Sequence, residues 1–69
     1  MKLSARNVLK GKVRKVTRGA VNSEVSIELA GGVMVVSIIT NTSVDQLGLM
    51  DGKDAYAVIK ASNVMIAVD

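Results

Sequence analysis

Cysteine, histidine, proline, tryptophan and phenylalanine are all missing from this chain, and Tyr56 is its only aromatic residue. Each absence removes a class of explanation. Without cysteine there is no disulfide and no thiolate metal site. Without histidine, the commonest metal ligand and the usual general base are gone. A single aromatic residue gives successive nucleotide bases no row of rings to stack on. The six acids all lie from Glu24 onward, and Asp51, Asp54 and Asp69 lack the clustered oxygen spacing that Mg²⁺ or Ca²⁺ requires. The longest nearly uncharged run, LAGGVMVVSIITNTSV at 29–44, is broken by a glycine pair and several polar residues. It is too interrupted for a membrane helix, which needs about 20 mostly apolar residues. No apolar stretch among Lys2, Arg6, Lys10 and Lys12 is long enough for a signal peptide, so a cytoplasmic protein is expected, with no membrane partner.

What is present is aliphatic and basic. The 69 residues make one domain, spanning 1–69, and the methionine start points to a free-standing protein. A chain this small buries only roughly 60% of its unfolded surface, so its core is thin. Disulfides, metals or association are the usual remedies, and here association is the one left. A composition that is 49% hydrophobic agrees, because a lone monomer this small has too little interior to hide it. Net charge is +3, and Lys2, Arg6, Lys10, Lys12, Arg14, Lys15 and Arg18 precede the first acid. That asymmetry suits an anionic partner, although alternate positions of a solvated strand read the same way.

The hydrophobic period is two for most of the length, which predicts strands. Residues 8–17 form the first; Val13 and Val16 break its alternation and Gly11 sits inside, so a bulge or bend is expected there. Arg18-Gly19-Ala20 turns. The second strand, 21–29, carries Val21, Val25, Ile27 and Leu29 on one face and Asn22, Glu24, Ser26 and Glu28 on the other. Ala30-Gly31-Gly32 closes a hairpin. The third strand, 33–40, is apolar on both faces, as in a strand covered on both sides, here by its own domain and by another subunit. A helix of about two turns follows, with Thr42 or Ser43 as cap, capping-box spacing from Ser43 to Gln46, and Gly48 as its stop. Residues 54–60 and 64–68 give the fourth and fifth strands. Three strands, a helix and two strands predict an all-β fold: a five-stranded OB-fold-like barrel with one short helix between strands three and four.

Catalysis is poorly supplied. Ser4 or Ser62 beside Lys60 could pair as nucleophile and base, but no second acid–base group accompanies them, so no enzyme is expected. An OB-fold module for single-stranded nucleic acid is the alternative reading, with the basic first strand on phosphates and Tyr56 as its sole stacking surface. Small oxyanions fit better. A fully deprotonated oxyanion needs donors only, from several directions, with one or two fixed positive charges. SARN at 4–7, TNTS at 40–43 and KAS at 60–62 supply arginine, lysine, hydroxyls and amides flanked by small side chains. Each stretch also has a plainer reading: a lead-in to the first strand, a helix cap, and a turn between strands four and five.

Read together, LSARNVLKGKV at 3–13, ITNTSVDQLGL at 39–49, GK at 52–53 and VIKASNVMIA at 58–67 resemble the molbindins, small molybdate-binding proteins of bacterial cytoplasm. The same module occurs in molybdate-responsive regulators and importer ATPases. The resemblance implies an OB-like barrel, a homohexamer built as a trimer of dimers, and molybdate or tungstate held between subunits. It implies that Ser4, Ala5, Arg6 and Asn7 approach the anion beside Lys60, Ala61 and Ser62, with Thr40 and Ser43 supplied by a neighbouring subunit. Molybdenum would be bound as the oxyanion with no direct protein ligand and no cofactor, for storage or homeostasis. A second class of site near the symmetry axes is also implied, and the Arg18–Asn22 turn is the candidate for it. Molybdate stays a dianion at neutral pH. Phosphate is partly protonated there and would need an acceptor that such a site lacks.

Overall fold

A computed structural model describes residues 1–69. Strand β1 (Asn7–Arg18) leads into β2 (Asn22–Leu29), then β3 (Met34–Thr40), helix α1 (Asn41–Leu47) and β4 (Asp54–Ile59). Single 3₁₀ turns occupy Ala30–Gly32 and Ala61–Asn63. The strands form one antiparallel sheet in the order β3-β2-β1-β4. β1 is the longest strand and pairs on both sides, with β2 along one edge and β4 along the other.

The irregularity expected in β1 is present. Its register with β2 shifts between Val13 and Lys15, with Arg14 as the extra residue. That insertion turns both Val13 and Val16 inward, although they are three positions apart. Val13 is completely buried, and Val16 packs against the core. Gly11 lets the sheet curl at this point. A Cβ there would lie 2.5 Å from the Glu28 carbonyl oxygen and 2.8 Å from Ile27 Cγ2. The core that results is small: Val13, Val25, Ile27, Val44 and Ala57, with Val35, Ile39, Leu49 and Ala55 among the residues packed against it.

The inward face of β2 differs from expectation in one residue. Val21 lies in the turn before the strand and is exposed, whereas Ser23 is buried with Val25 and Ile27. The helix also starts earlier than expected. Thr40, the last residue of β3, is its cap, its Oγ1 accepting from the Ser43 amide at 3.1 Å. Thr42 and Ser43 are therefore inside the helix, and Ser43 satisfies Thr40 rather than forming a box with Gln46. The cause is geometric: Thr40 is still paired with Asn22, so the chain leaves the sheet straight into a helical turn. Gly48, at φ 62°, ends the helix as anticipated. Val44 points into the core, and Leu47, expected beside it, is exposed.

The sheet has four strands, not five. Residues 64–68 join no ladder, and Met65, Ile66 and Val68 are 92%, 85% and 91% exposed. The reason lies in the sheet order. β3 and β4 are the two edges, and a strand that closed the barrel would have to lie between them. The apolar alternation of 64–68 predicts a strand, but a strand needs an edge to pair with, and the tail pairs with neither edge of the sheet. The outward residues of β3, Met34, Val36 and Ile38, are also uncovered.

Gly11→Ala is expected to lower unfolding free energy by about 2 kcal/mol, because the added methyl meets backbone that cannot step aside. Urea denaturation measures this, and an unchanged midpoint would contradict the close approach of β1 and β2.

Candidate functional site

Asn7 and Ile59 form the terminal rung of the β1–β4 ladder. The Asn7 side chain adds a second tie across that rung, its Nδ2 donating to the Ile59 carbonyl at 3.2 Å. Beyond this point both chains leave the sheet. Ser4, Ala5 and Arg6 run back from β1, and Lys60, Ala61 and Ser62 continue from β4. These six residues alone line an open cavity of about 410 Å³. Two of the three stretches singled out from sequence, at opposite ends of the chain, thus meet at one place.

The chemistry of this cavity is one-sided. It holds a guanidinium, an ammonium and two hydroxyls, and no carboxylate. Arg6 and Lys60 make no ion pair. The 3₁₀ turn after β4 is closed by the Asn63 amide on the Lys60 carbonyl and the Val64 amide on the Ala61 carbonyl. In such a turn the first amides, those of Ala61 and Ser62, have no carbonyl to reach, so they remain available as donors. Ala5 and Ala61 keep the backbone approachable. Donors converge here with no anionic acceptor among them, which suits a deprotonated oxyanion.

Three of the five basic residues of β1 behave differently. Lys12 pairs with Asp54, Arg14 with Glu28 and Arg18 with Asp45, each at 2.8 Å. Lys53 donates to the Leu47 carbonyl at the end of α1. Part of the positive charge that suggested a polyanion is therefore matched within the chain. Tyr56, half-exposed on edge strand β4, has no second ring beside it. These pairings remove the main support for a single-stranded nucleic-acid surface.

Thr40 and Ser43 lie elsewhere. Thr40 pairs with Asn22, beside the Arg18 end of β1, whereas Asn7 and Ile59 mark the other end. Thr40 Oγ1 donates to Ser43 Oγ at 2.9 Å while accepting from the Ser43 amide. The Thr40 proton is thereby used, and the Ser43 hydroxyl keeps its own proton free to donate. A single protomer does not bring this pair to the cavity of Arg6 and Lys60.

Two roles went unseen in the sequence. Asn41 accepts from the buried Ser23 hydroxyl at 2.5 Å and donates to the Gly19 carbonyl at 3.0 Å, tying the start of α1 to the β1–β2 turn. A serine at an inward position of β2 is a signal that such a partner exists, because buried hydroxyls are paired. The Arg18–Asn22 turn, considered for a second anion, is held by this link and by Arg18 on Asp45. Asn7, expected among the anion donors, uses one amide proton on the Ile59 carbonyl and is not among the residues that line the cavity.

The surface pairs carry a pH signature. The hydrogen bond from Arg18, reinforced by its charge, holds the Asp45 carboxyl below the usual aspartate range, and the Lys12 ammonium does the same for Asp54. Each folded-state value is lowered relative to the unfolded chain. The stabilisation is therefore present above the unfolded aspartate pKa and is lost as pH falls through the depressed one. Solvent exposure keeps it small. Arg18→Gln is expected to move the Asp45 titration, followed by carboxyl NMR, upward toward ordinary aspartate; an unmoved titration contradicts the pair.

Comparison with known proteins adds an independent finding. The TOBE domain family model matches residues 3–66. The chain is 48% identical, over all 69 residues of both proteins, to the probable molybdenum-pterin-binding protein of Haemophilus influenzae. Its fold matches MopII from Clostridium pasteurianum in an apo form, with TM-score 0.92 and 46% identity, covering 97% of this chain and 100% of that one. It also matches the molybdate-bound crystal structure of the cytoplasmic molybdate-binding protein ModG, with TM-score 0.91 and 51% identity, covering 94% of this chain and 46% of the ModG chain. The family-model match over 3–66, the OB-like sheet with its single helix and these likenesses agree: this chain is a molbindin-type member of the TOBE domain family.

Proposed function

We propose that this chain is one molybdate-binding module, 1–69, that takes up molybdate, and tungstate in the same way, as the free dianion. Its role is storage and homeostasis of molybdenum in the cytoplasm. It performs no catalysis and needs no cofactor. The observation that carries this reading is the acid-free cavity of Ser4, Ala5, Arg6, Lys60, Ala61 and Ser62, whose two cations have no partner in the chain. The relative named for molybdenum-pterin binding and the molybdate-bound ModG support the choice of ion. A bare oxyanion is favoured over a pterin conjugate because the cavity has no aromatic or flat apolar wall.

The site is completed by a second copy. Thr40 and Ser43 sit at the far end of the sheet, so they reach an anion at Arg6 and Lys60 only from a neighbour. Three features support self-association. The tail 64–68 is apolar and exposed, and its backbone is already extended at Val64 (φ −90°, ψ 123°). A groove of about 440 Å³ runs between β3 and β4, bounded by Val35–Ser37 and Tyr56–Ile59. The unpaired backbone groups of those two edges are a template for one more strand. Five residues span roughly 17 Å as a strand, enough to close the barrel from another protomer. The assembly we propose is a homohexamer, a trimer of dimers, as the resemblance to the molbindins implies.

Calorimetric titration with molybdate is the test. Arg6→Ala and Lys60→Ala are each expected to weaken binding by about 10- to 100-fold, since each removes a charge-assisted bond. Normal binding by either variant would remove it from the site, and heat with sulfate but none with molybdate would overturn the function. Ile66→Glu is expected to shift native mass spectra toward smaller species; unchanged assembly would take the tail out of the interface.

A further inference from the structure

We infer that Asn7 does not touch the anion but sets the width of its site, and thereby selects for ion size. This deepens the proposed function and rests on it. The two walls of the cavity come from opposite ends of the chain and belong to segments outside the sheet. They are joined at one place, the Asn7–Ile59 rung. The next rung inward is Val8 with Val58, whose side chains carry no polar group to add a tie. At the Asn7 rung the ladder is supplemented by Nδ2 on the Ile59 carbonyl, a bond spanning the chain from its seventh residue to the last of β4. Ile59 immediately precedes Lys60, and Asn7 immediately follows Arg6. A tie between these neighbours therefore fixes how far apart the guanidinium and ammonium walls begin.

Width matters because the donors themselves cannot discriminate. Molybdate and sulfate are both tetrahedral dianions, and a site made only of donors satisfies either. They differ in size, Mo–O bonds being longer than S–O bonds. A span held fixed at the larger ion leaves sulfate unable to reach both walls at once. Released, the arm and the turn close on the smaller ion with less loss than on the larger one, whose preformed fit has gone.

The test compares wild type with Asn7→Ala, and with Asn7→Thr, which suits a strand but is too short to reach Ile59. Calorimetry against molybdate and against sulfate gives the ratio of affinities, and amide exchange on the ligand-free protein reads the mobility of residues 5–6 and 60–62. The expected result is a molybdate affinity about tenfold weaker, a sulfate affinity nearly unchanged, and faster exchange at both walls with the core amides unaltered. A general loss of stability would weaken both anions together and leave their ratio where it was. An unchanged ratio in a variant that folds, or unchanged exchange at the two walls, overturns the inference while molybdate binding by the wild type stands. A wild-type chain that takes up neither anion overturns the function and this inference together.

Discussion

Arg6 and Lys60 share an opening with no carboxylate in it, and the rest of the molecule is arranged around that imbalance. Elsewhere three of the basic residues are neutralised within the chain: Lys12, Arg14 and Arg18 each hold an acid across the sheet or against the helix. The same could have been done at the cavity, since acids are not scarce beyond Glu24. Leaving two like charges facing one space disfavours the empty form and favours any dianion that enters. The donors around them come without a carboxylate to accept from a protonated oxyanion, so such an ion gains less than a bare one.

Backbone geometry makes this possible with very little protein. β1 pairs on both sides and is bent by the Arg14 bulge and the bare Cα of Gly11, so that a four-stranded sheet curls around five buried side chains. The same curl leaves β3 and β4 as separate edges. A chain of 69 residues has no further strand that stays at home to fill the gap. Exposed edges and an exposed apolar tail are liabilities in a monomer, and they become interface in an assembly. In the function proposed here, ligand and assembly depend on each other: an anion shared between protomers offsets charges that would otherwise repel, and binding of that kind stabilises the assembled state by mass action.

The alternating pattern of β2, the broken alternation around Gly11, the glycine stop at Gly48 and the two-faced hydrophobicity of β3 were all readable from residue order, because each is a local rule of backbone or face. Ser4, Arg6, Lys60 and Ser62 stood out for a related reason: small residues beside a base are a poor way to build a core and a good way to expose amides. Less visible was anything that depended on who the neighbour is. Thr40 displaced Ser43 as the helix cap because its place is fixed by pairing with Asn22. Asn41 looked like part of a cap and is the partner of the buried Ser23. Asn7, expected beside the ligand, also ties β1 to Ile59.

By itself, then, the amino-acid order determined the all-β class, the helix position, the family likeness and the chemical character of the candidate site, since all of these follow from residue type and short spacing. Only the tertiary structure decided that residues 4–6 and 60–62 form one cavity while Thr40 and Ser43 lie at the other end of the sheet. It also decided that 64–68 remains without a partner in its own protomer. Strand register and edge availability are long-range properties, set by which segment reaches which ladder first, and no local pattern encodes them.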